Sequence, residues 1–266
     1  MKWSKSFSVA LSYNEPGISE LNFEGVRVLI LHEYQNHPQV SGNKWWKLRD
    51  NLEAARREGH STLVAFGGAY SNHIYATAAA AKLEGFRSIG IIRGEEVDNP
   101  VLSFARSQGM ELTFISRAEY RRKTEMKFED AYMIPEGGTN GLAIEACADW
   151  GRKLLAIDFD QLYVAVGTGG TMEGLRQGLQ GRREVIGVPV LKGLSGENLL
   201  SEYHHGGYGK MPAALIEFCR EFSDTYGVTI EPVYTGKLMW AVFDQIKRKR
   251  TASKILVIHS GGINSL

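Results

Sequence analysis

Five short stretches combine residue types that do chemistry. In VAVGTGGTMEGL an apolar run ends at Gly167, and Thr168, Gly169, Gly170 and Thr171 lead into a helix pattern. Glycines there let the backbone approach a ligand, and a helix start offers unpaired N–H groups to an anion, so the stretch suits a phosphate; an ordinary tight turn is the alternative. The Lys-Ser/Thr pair of a nucleotide-triphosphate loop is missing, and Met172 falls where a dinucleotide fingerprint needs its third glycine. GGAYSNH places Ser71, Asn72 and His73 at a second strand-to-helix junction, where Ser71 and Asn72 also serve as helix caps. EPVYTGK carries Tyr234 and Thr235, and HHGGYGKMP carries Tyr208 in a glycine-rich loop. In SGNKWWKL, Lys44 follows a Gly-Asn pair. That stretch is also a plausible helix start, with Ser41 or Asn43 as cap, Leu48, Leu52 and Ala55 facing inward, and an end near Gly59.

The elements that must position these residues follow an α/β rhythm. STLVAFGG, RSIGIIRG, ELTFIS, LYVAVG and REVIGVPVL are strand-like runs, separated by helix patterns near 45–58, 71–85, 99–108 and 141–156. A charged helix is expected over 117–131, further helices near 212–225 and 237–249, and further strands at VTIEPVY and KILVIHSGG. Repeated β-α units imply parallel strands with helices on both faces.

Bulk composition narrows the function. With 31 basic and 30 acidic side chains the net charge is +1, so no overall field attracts nucleic acid or an anionic membrane, and a small-molecule partner is expected. The two cysteines, Cys147 and Cys219, form neither a disulfide framework nor a zinc pattern. His204 and His205 are adjacent with no carboxylate at helical spacing, so no metal site is expected. There is no apolar run of about 18 residues and no signal-like N-terminus, which points to a cytoplasmic protein. The basic runs at 121–123 and 247–250 lack interleaved aromatics and read as solvated surface.

Taken in order, SGNKWWKL, GGAYSNH, IPEGGTNG, GTGGT, GGYG, EPVYTGK and HSGG resemble the 1-aminocyclopropane-1-carboxylate deaminase and D-cysteine desulfhydrase family of pyridoxal-phosphate enzymes over roughly residues 25–262. The resemblance implies a tryptophan-synthase-β-like fold: two open, twisted, mainly parallel sheets with helices on both faces. Residues 1–47 and 148–266 would form a large cofactor-binding domain and 48–147 a smaller inserted α/β domain. The active site is expected in the cleft between them, at the carboxyl ends of strands. Lys44 resembles the lysine that binds the cofactor aldehyde, and partial desolvation favours the neutral amine this bond needs. Gly167, Thr168, Gly169, Gly170 and Thr171 resemble the phosphate loop, Asn72 the residue bonded to the cofactor's phenolic oxygen, and Ser71 the one facing the substrate carboxylate or acting on the bound amino acid. His73 is expected beside the substrate, and Tyr208 and Tyr234 resemble the two active-site tyrosines. The family also implies a homodimer, a chain running somewhat beyond Leu266, and a basic residue where Trp46 stands.

Thr235 separates the two activities. In the deaminase, the residue after the second tyrosine is a glutamate that keeps the pyridine nitrogen protonated, making the ring a strong electron sink. A hydroxyl holds that proton less well. α,β-Elimination from a small amino acid, most plausibly D-cysteine giving pyruvate, ammonia and hydrogen sulfide, is therefore expected ahead of cyclopropane opening. From another class, a phospholigand-binding protein without turnover would share the phosphate loop.

Overall fold

A computed structural model describes residues 11–261. Their elements begin with β1 (Ile18–Phe23), β2 (Val26–Leu31), α1 (Asn43–Arg57), β3 (Thr62–Gly68), α2 (Asn72–Glu84), β4 (Arg87–Arg93), α3 (Pro100–Ser107) and β5 (Met110–Ile115). There follow α4 (Arg117–Arg121), β6 (Ala131–Ile134), α5 (Gly141–Leu154), β7 (Gln161–Val166), α6 (Gly170–Leu179), β8 (Glu184–Pro189), α7 (Ala213–Tyr226), α8 (Thr235–Lys247) and β9 (Lys254–Ile258). Contacts divide the chain into two compact units. One is built on Asn36–Ala143 with the segment leading up to Glu15, the other on Pro16–Gln35 with the chain from Ile144 onward.

The first unit holds a four-stranded parallel sheet in the order β5-β4-β3-β6. Its inner strand β3 is buried through six of its seven residues, as a strand covered on both faces must be. Helix α2 is lined by buried alanines at 76 and 78–81, small enough for close packing all round. Ser71 caps it, accepting the Ile74 N–H at 3.4 Å, and Gly85 closes it. Asn99 caps α3 in the same way, with Pro100 in its first turn.

The second unit holds a five-stranded sheet in the order β1-β2-β9-β7-β8. Only the β1–β2 pair is antiparallel. Strand β1 alternates exposed and half-buried residues, as an edge strand with one wet face does. Two open, mainly parallel sheets flanked by helices agree with the fold class expected from the sequence.

Local differences have physical causes. Neither Ser41 nor Asn43 caps α1: its N-cap is Gly42, whose N–H and carbonyl are both held by the Asn36 side chain, at 2.9 and 3.0 Å. Between 117 and 131 the expected helix shrinks to Arg117–Arg121 and a single 3-10 turn, Lys123–Glu125. The segment lacks an apolar stripe at helical spacing, and Met126 and Phe128 leave it to pack on Val64, Phe66 and Ile91. VTIEPVY is no strand, because Val228 and Ile230 enter the core while Glu231 folds the chain back on itself. β6 and the β1–β2 pair extend the sheets beyond the strands read from sequence.

Helix α6, which follows the glycine-rich loop, is seated on α5 without clearance. An added Cβ at Gly178 would run into the Ala148 carbonyl, one at Gly174 into the Ile144 carbonyl and Cys147, and one at Gly151 would lie 2.9 Å from the Leu175 carbonyl oxygen. Overpacking a site of this kind costs about 1–3 kcal/mol, more than the roughly 1 kcal/mol that alanine gains over glycine in a helix. Gly178→Ala is expected to lower the urea midpoint at unchanged slope.

Candidate active site

In the first unit, Lys44 is the second residue of α1 and is half-buried. Trp45 and Trp46 are buried beside it; the Trp45 indole N–H donates to the Leu11 carbonyl at 3.1 Å, and the Tyr13 ring packs on both indoles. The second lysine of the motif has a different task. Buried Lys47 donates to the Gly137 carbonyl and to the Thr139 hydroxyl, each at 3.0 Å, and so ties α1 to the PEGGT segment after β6. His73 lies buried in the first turn of α2 with Gly138 against its ring. Burial first, then the charges of Lys44 and Lys47, hold its pKa well below the ordinary histidine value. His73 is thus a neutral imidazole facing two lysines. Ser71 and Asn72, both half-buried, precede it at the carboxyl end of β3.

In the second unit, the chain leaves β7 at Val166 and enters α6 at Gly170. Gly169 has φ +87°, a conformation that glycine adopts without strain. No side chain caps α6, whose start carries the positive end of the helix dipole; the Glu173 carboxylate of its first turn is exposed and accepts from Gln177 at 2.8 Å. A Cβ at Gly167 would meet only the Tyr234 ring, at 4.0 Å. The Tyr208 and Tyr234 rings meet edge to face at 6.0 Å. The structure therefore groups Lys44, Ser71, Asn72 and His73 within one unit and the loop, both tyrosines and Thr235 within the other.

Three further residues build the second group. Glu231 is 2% exposed, and its carboxylate accepts the N–H groups of Val233, Tyr234 and Thr235 at 2.6–3.0 Å. Burial pushes its carboxyl up to about 7, opposed by those N–H groups. Lys237, fully buried, donates to the Gly207 carbonyl at 2.7 Å and so anchors the loop that carries Tyr208; burial lowers its pKa to about 8. His259, fully buried after β9, has Nε2 2.8 Å from the Thr229 carbonyl and Nδ1 3.3 Å from the Thr235 hydroxyl. All three sit inside motifs noted in the sequence, EPVYTGK and HSGG, but only a charged residue between apolar neighbours hints at their burial. His204 accepts the Gly206 N–H and His205 packs on Trp240. Among the described residues no group of three or more His, Cys, Asp or Glu is arranged for a metal ion, and no helix is long and apolar enough to cross a membrane.

Residues 16–261 match the model of the pyridoxal-phosphate dependent enzyme family. The chain belongs to that family. A Thermotoga maritima protein provisionally named 1-aminocyclopropane-1-carboxylate deaminase is 30% identical, with 85% of each chain covered. An Arabidopsis thaliana mitochondrial protein, named bifunctional D-cysteine desulfhydrase/1-aminocyclopropane-1-carboxylate deaminase, is 27% identical over 96% of this chain and 76% of its own. A crystal structure described as an ACC deaminase homologue superposes with TM-score 0.88 at 26% identity, covering 98% of this chain and 94% of the other.

The pyridoxal-phosphate enzyme has residues that fit its cofactor. α6 opens on a left-handed glycine with no side-chain cap, whereas the neighbouring start of α8 is already filled by the Glu231 carboxylate. A dianionic phosphate therefore has one suitable helix start beside Tyr234, and it is the one after GTGGT.

Two outcomes follow. Lys237→Met keeps the stem and removes the donor, so amide exchange over residues 206–210 should accelerate while the core exchanges as before. His259 stays neutral to about pH 4, whereas a histidine in the unfolded chain takes up its proton near about 6.5. Its contribution is complete above pH 6.5 and is lost as pH falls towards 4, up to about 3 kcal/mol. Urea titrations at pH 7 and 4.5 should show a smaller loss in His259→Phe than in the parent, with His32, His73 and His205 common to both.

Proposed function

We infer that the protein eliminates a β-substituent from a small amino acid, with D-cysteine and water giving pyruvate, ammonia and hydrogen sulfide. The observation that carries this choice is Thr235: a neutral residue, 1% exposed, directly after Tyr234, where the deaminase pattern has a glutamate. A thiolate is a good leaving group, and its departure after loss of the α-proton demands less of the cofactor than opening a ring that has no α-hydrogen. The name of the Arabidopsis relative, which joins both activities, favours deamination of 1-aminocyclopropane-1-carboxylate to 2-oxobutyrate as the second reading.

Bound through Lys44, pyridoxal phosphate supplies the electron sink for the pair left at the substrate's α-carbon. The backbone N–H groups from Gly167 to Thr171 would hold its phosphate, Asn72 would donate to its phenolic oxygen, and Thr235 would stand at its ring nitrogen. Ser71 receives the substrate carboxylate. The amine of Lys44, or a neighbouring hydroxyl, would take the α-proton. Neutral His73 adds no charge beside that amine. The hydroxyls of Tyr208 and Tyr234 orient the substrate and hand a proton to the departing sulfur. Two free, buried cysteines support a reducing, cytoplasmic setting, and the family resemblance supports a homodimer.

Absorption of the purified protein supplemented with pyridoxal phosphate tests this directly. A band near about 410–420 nm that borohydride fixes on Lys44 is expected, and its absence in Lys44→Ala. Keto acid and sulfide should appear with D-cysteine. Turnover of 1-aminocyclopropane-1-carboxylate alone would replace the elimination with the second reading, and no band at all would end both.

A further inference from the structure

We propose that His259 is a positioning residue that takes the Thr235 hydroxyl proton, so that Thr235 can meet a ligand only as a hydrogen-bond acceptor. The inference rests on the assignment of Thr235 to the cofactor's ring nitrogen and specifies the state of that nitrogen.

The direction of each hydrogen bond follows from the partners. The Thr229 carbonyl can only accept, so His259 Nε2, 2.8 Å away, must carry its proton. In a neutral imidazole Nδ1 is then bare. The Gly261 N–H points at that nitrogen from 3.4 Å, as it would only towards an acceptor. The ring is fully buried, with the Tyr34 ring 4.6 Å from it, and among the described residues no carboxylate pairs with it to hold a second charge. Two acceptors lie beside the Thr235 hydroxyl: the Glu231 carboxylate, whose oxygens already accept three backbone N–H groups, and the bare Nδ1 at 3.3 Å, to which we assign the proton. A threonine hydroxyl has one proton. The Thr235 backbone N–H is also spent, on Glu231 at 2.7 Å. What remains to Thr235 is lone-pair density on its oxygen.

A free hydroxyl would donate to a bare pyridine nitrogen and favour the unprotonated ring. A hydroxyl whose proton is already held does the reverse and favours an N–H. Thr235 and His259 together thus do, without charge, part of what a carboxylate does at this position. This amends the expectation drawn from Thr235 by itself: the ring would be a weaker sink than one paired with glutamate, yet biased towards its protonated form.

The first arm of the test uses cofactor-free protein with ¹⁵N-labelled histidine. Long-range ¹H–¹⁵N correlation should show His259 as the Nε2–H tautomer with Nδ1 bare. The Nδ1 resonance should shift in Thr235→Val and return in Thr235→Ser. An Nδ1–H tautomer, or a resonance indifferent to Thr235→Val, overturns the inference whatever the cofactor does. The second arm uses holoenzyme loaded with pyridoxal phosphate labelled at the ring nitrogen. That ¹⁵N resonance should sit towards the protonated position in the parent and move towards the bare-pyridine position in His259→Gln. The glutamine amide reaches the Thr229 carbonyl but leaves nothing at Nδ1. No movement in either His259→Gln or Thr235→Val overturns the link from His259 to the cofactor. Failure to load any cofactor would sink the functional assignment instead, and the tautomer measurement still decides the hydrogen-bond direction.

Discussion

A carboxylate buried at the start of α8 organises the second unit. Glu231 gathers three consecutive backbone N–H groups, and its own carbonyl accepts the Gly236 N–H at 2.7 Å, so residues 231–236 have little freedom left. Burying an ion is expensive, and this one is tolerated because its lone pairs are filled from the backbone and a buried lysine follows six residues later. The return is positional. The Tyr234 ring is set against Gly167, the Thr235 hydroxyl against His259, and Lys237 reaches back to the loop of Tyr208. Stability is spent on a rigid site, the usual arrangement where functional side chains must be held to within a fraction of an ångström.

The two units apply one rule to different residues. Each uses parallel strands, and each collects its polar groups just beyond the strands' carboxyl ends. GGAYSNH follows β3 and PEGGT follows β6; GTGGT follows β7 and HSGG follows β9. Helix starts there supply N–H groups, and the sheets behind them supply stiffness. Within this scheme the two lysines of SGNKWWKL part company. Lys47 is a buried tie to Gly137 and Thr139, while Lys44, one turn earlier in α1, remains half-buried.

What could be read in the sequence was local. Strands β3, β4 and β7 are apolar runs bounded by turn residues, α2 begins with its own cap, and GTGGT announces a close backbone approach in five consecutive letters. What could not be read depends on partners far along the chain. Lys237 looks like a solvated helix cation until Gly207 is placed 2.7 Å from its amine. VTIEPVY has the apolar content of a strand, and only the turn imposed by Glu231 shows why it is not one. The role of Thr235 is the sharpest case. The sequence shows a hydroxyl after Tyr234 but not its partner, a histidine 24 residues away whose Nδ1 lies 3.3 Å from it.

The pairing of β2 with β9 also orders events during synthesis. Residues 27–31 wait for 254–258 before the centre of the five-stranded sheet can form, whereas the four-stranded sheet needs nothing beyond Ile134. As the chain emerges, the first unit can close early around its alanine-rich helix, but the apolar strand β2 lacks its β9 partner until residues 254–258 have been made. The antiparallel edge strand β1 pairs with it in the meantime and covers one of its two open sides.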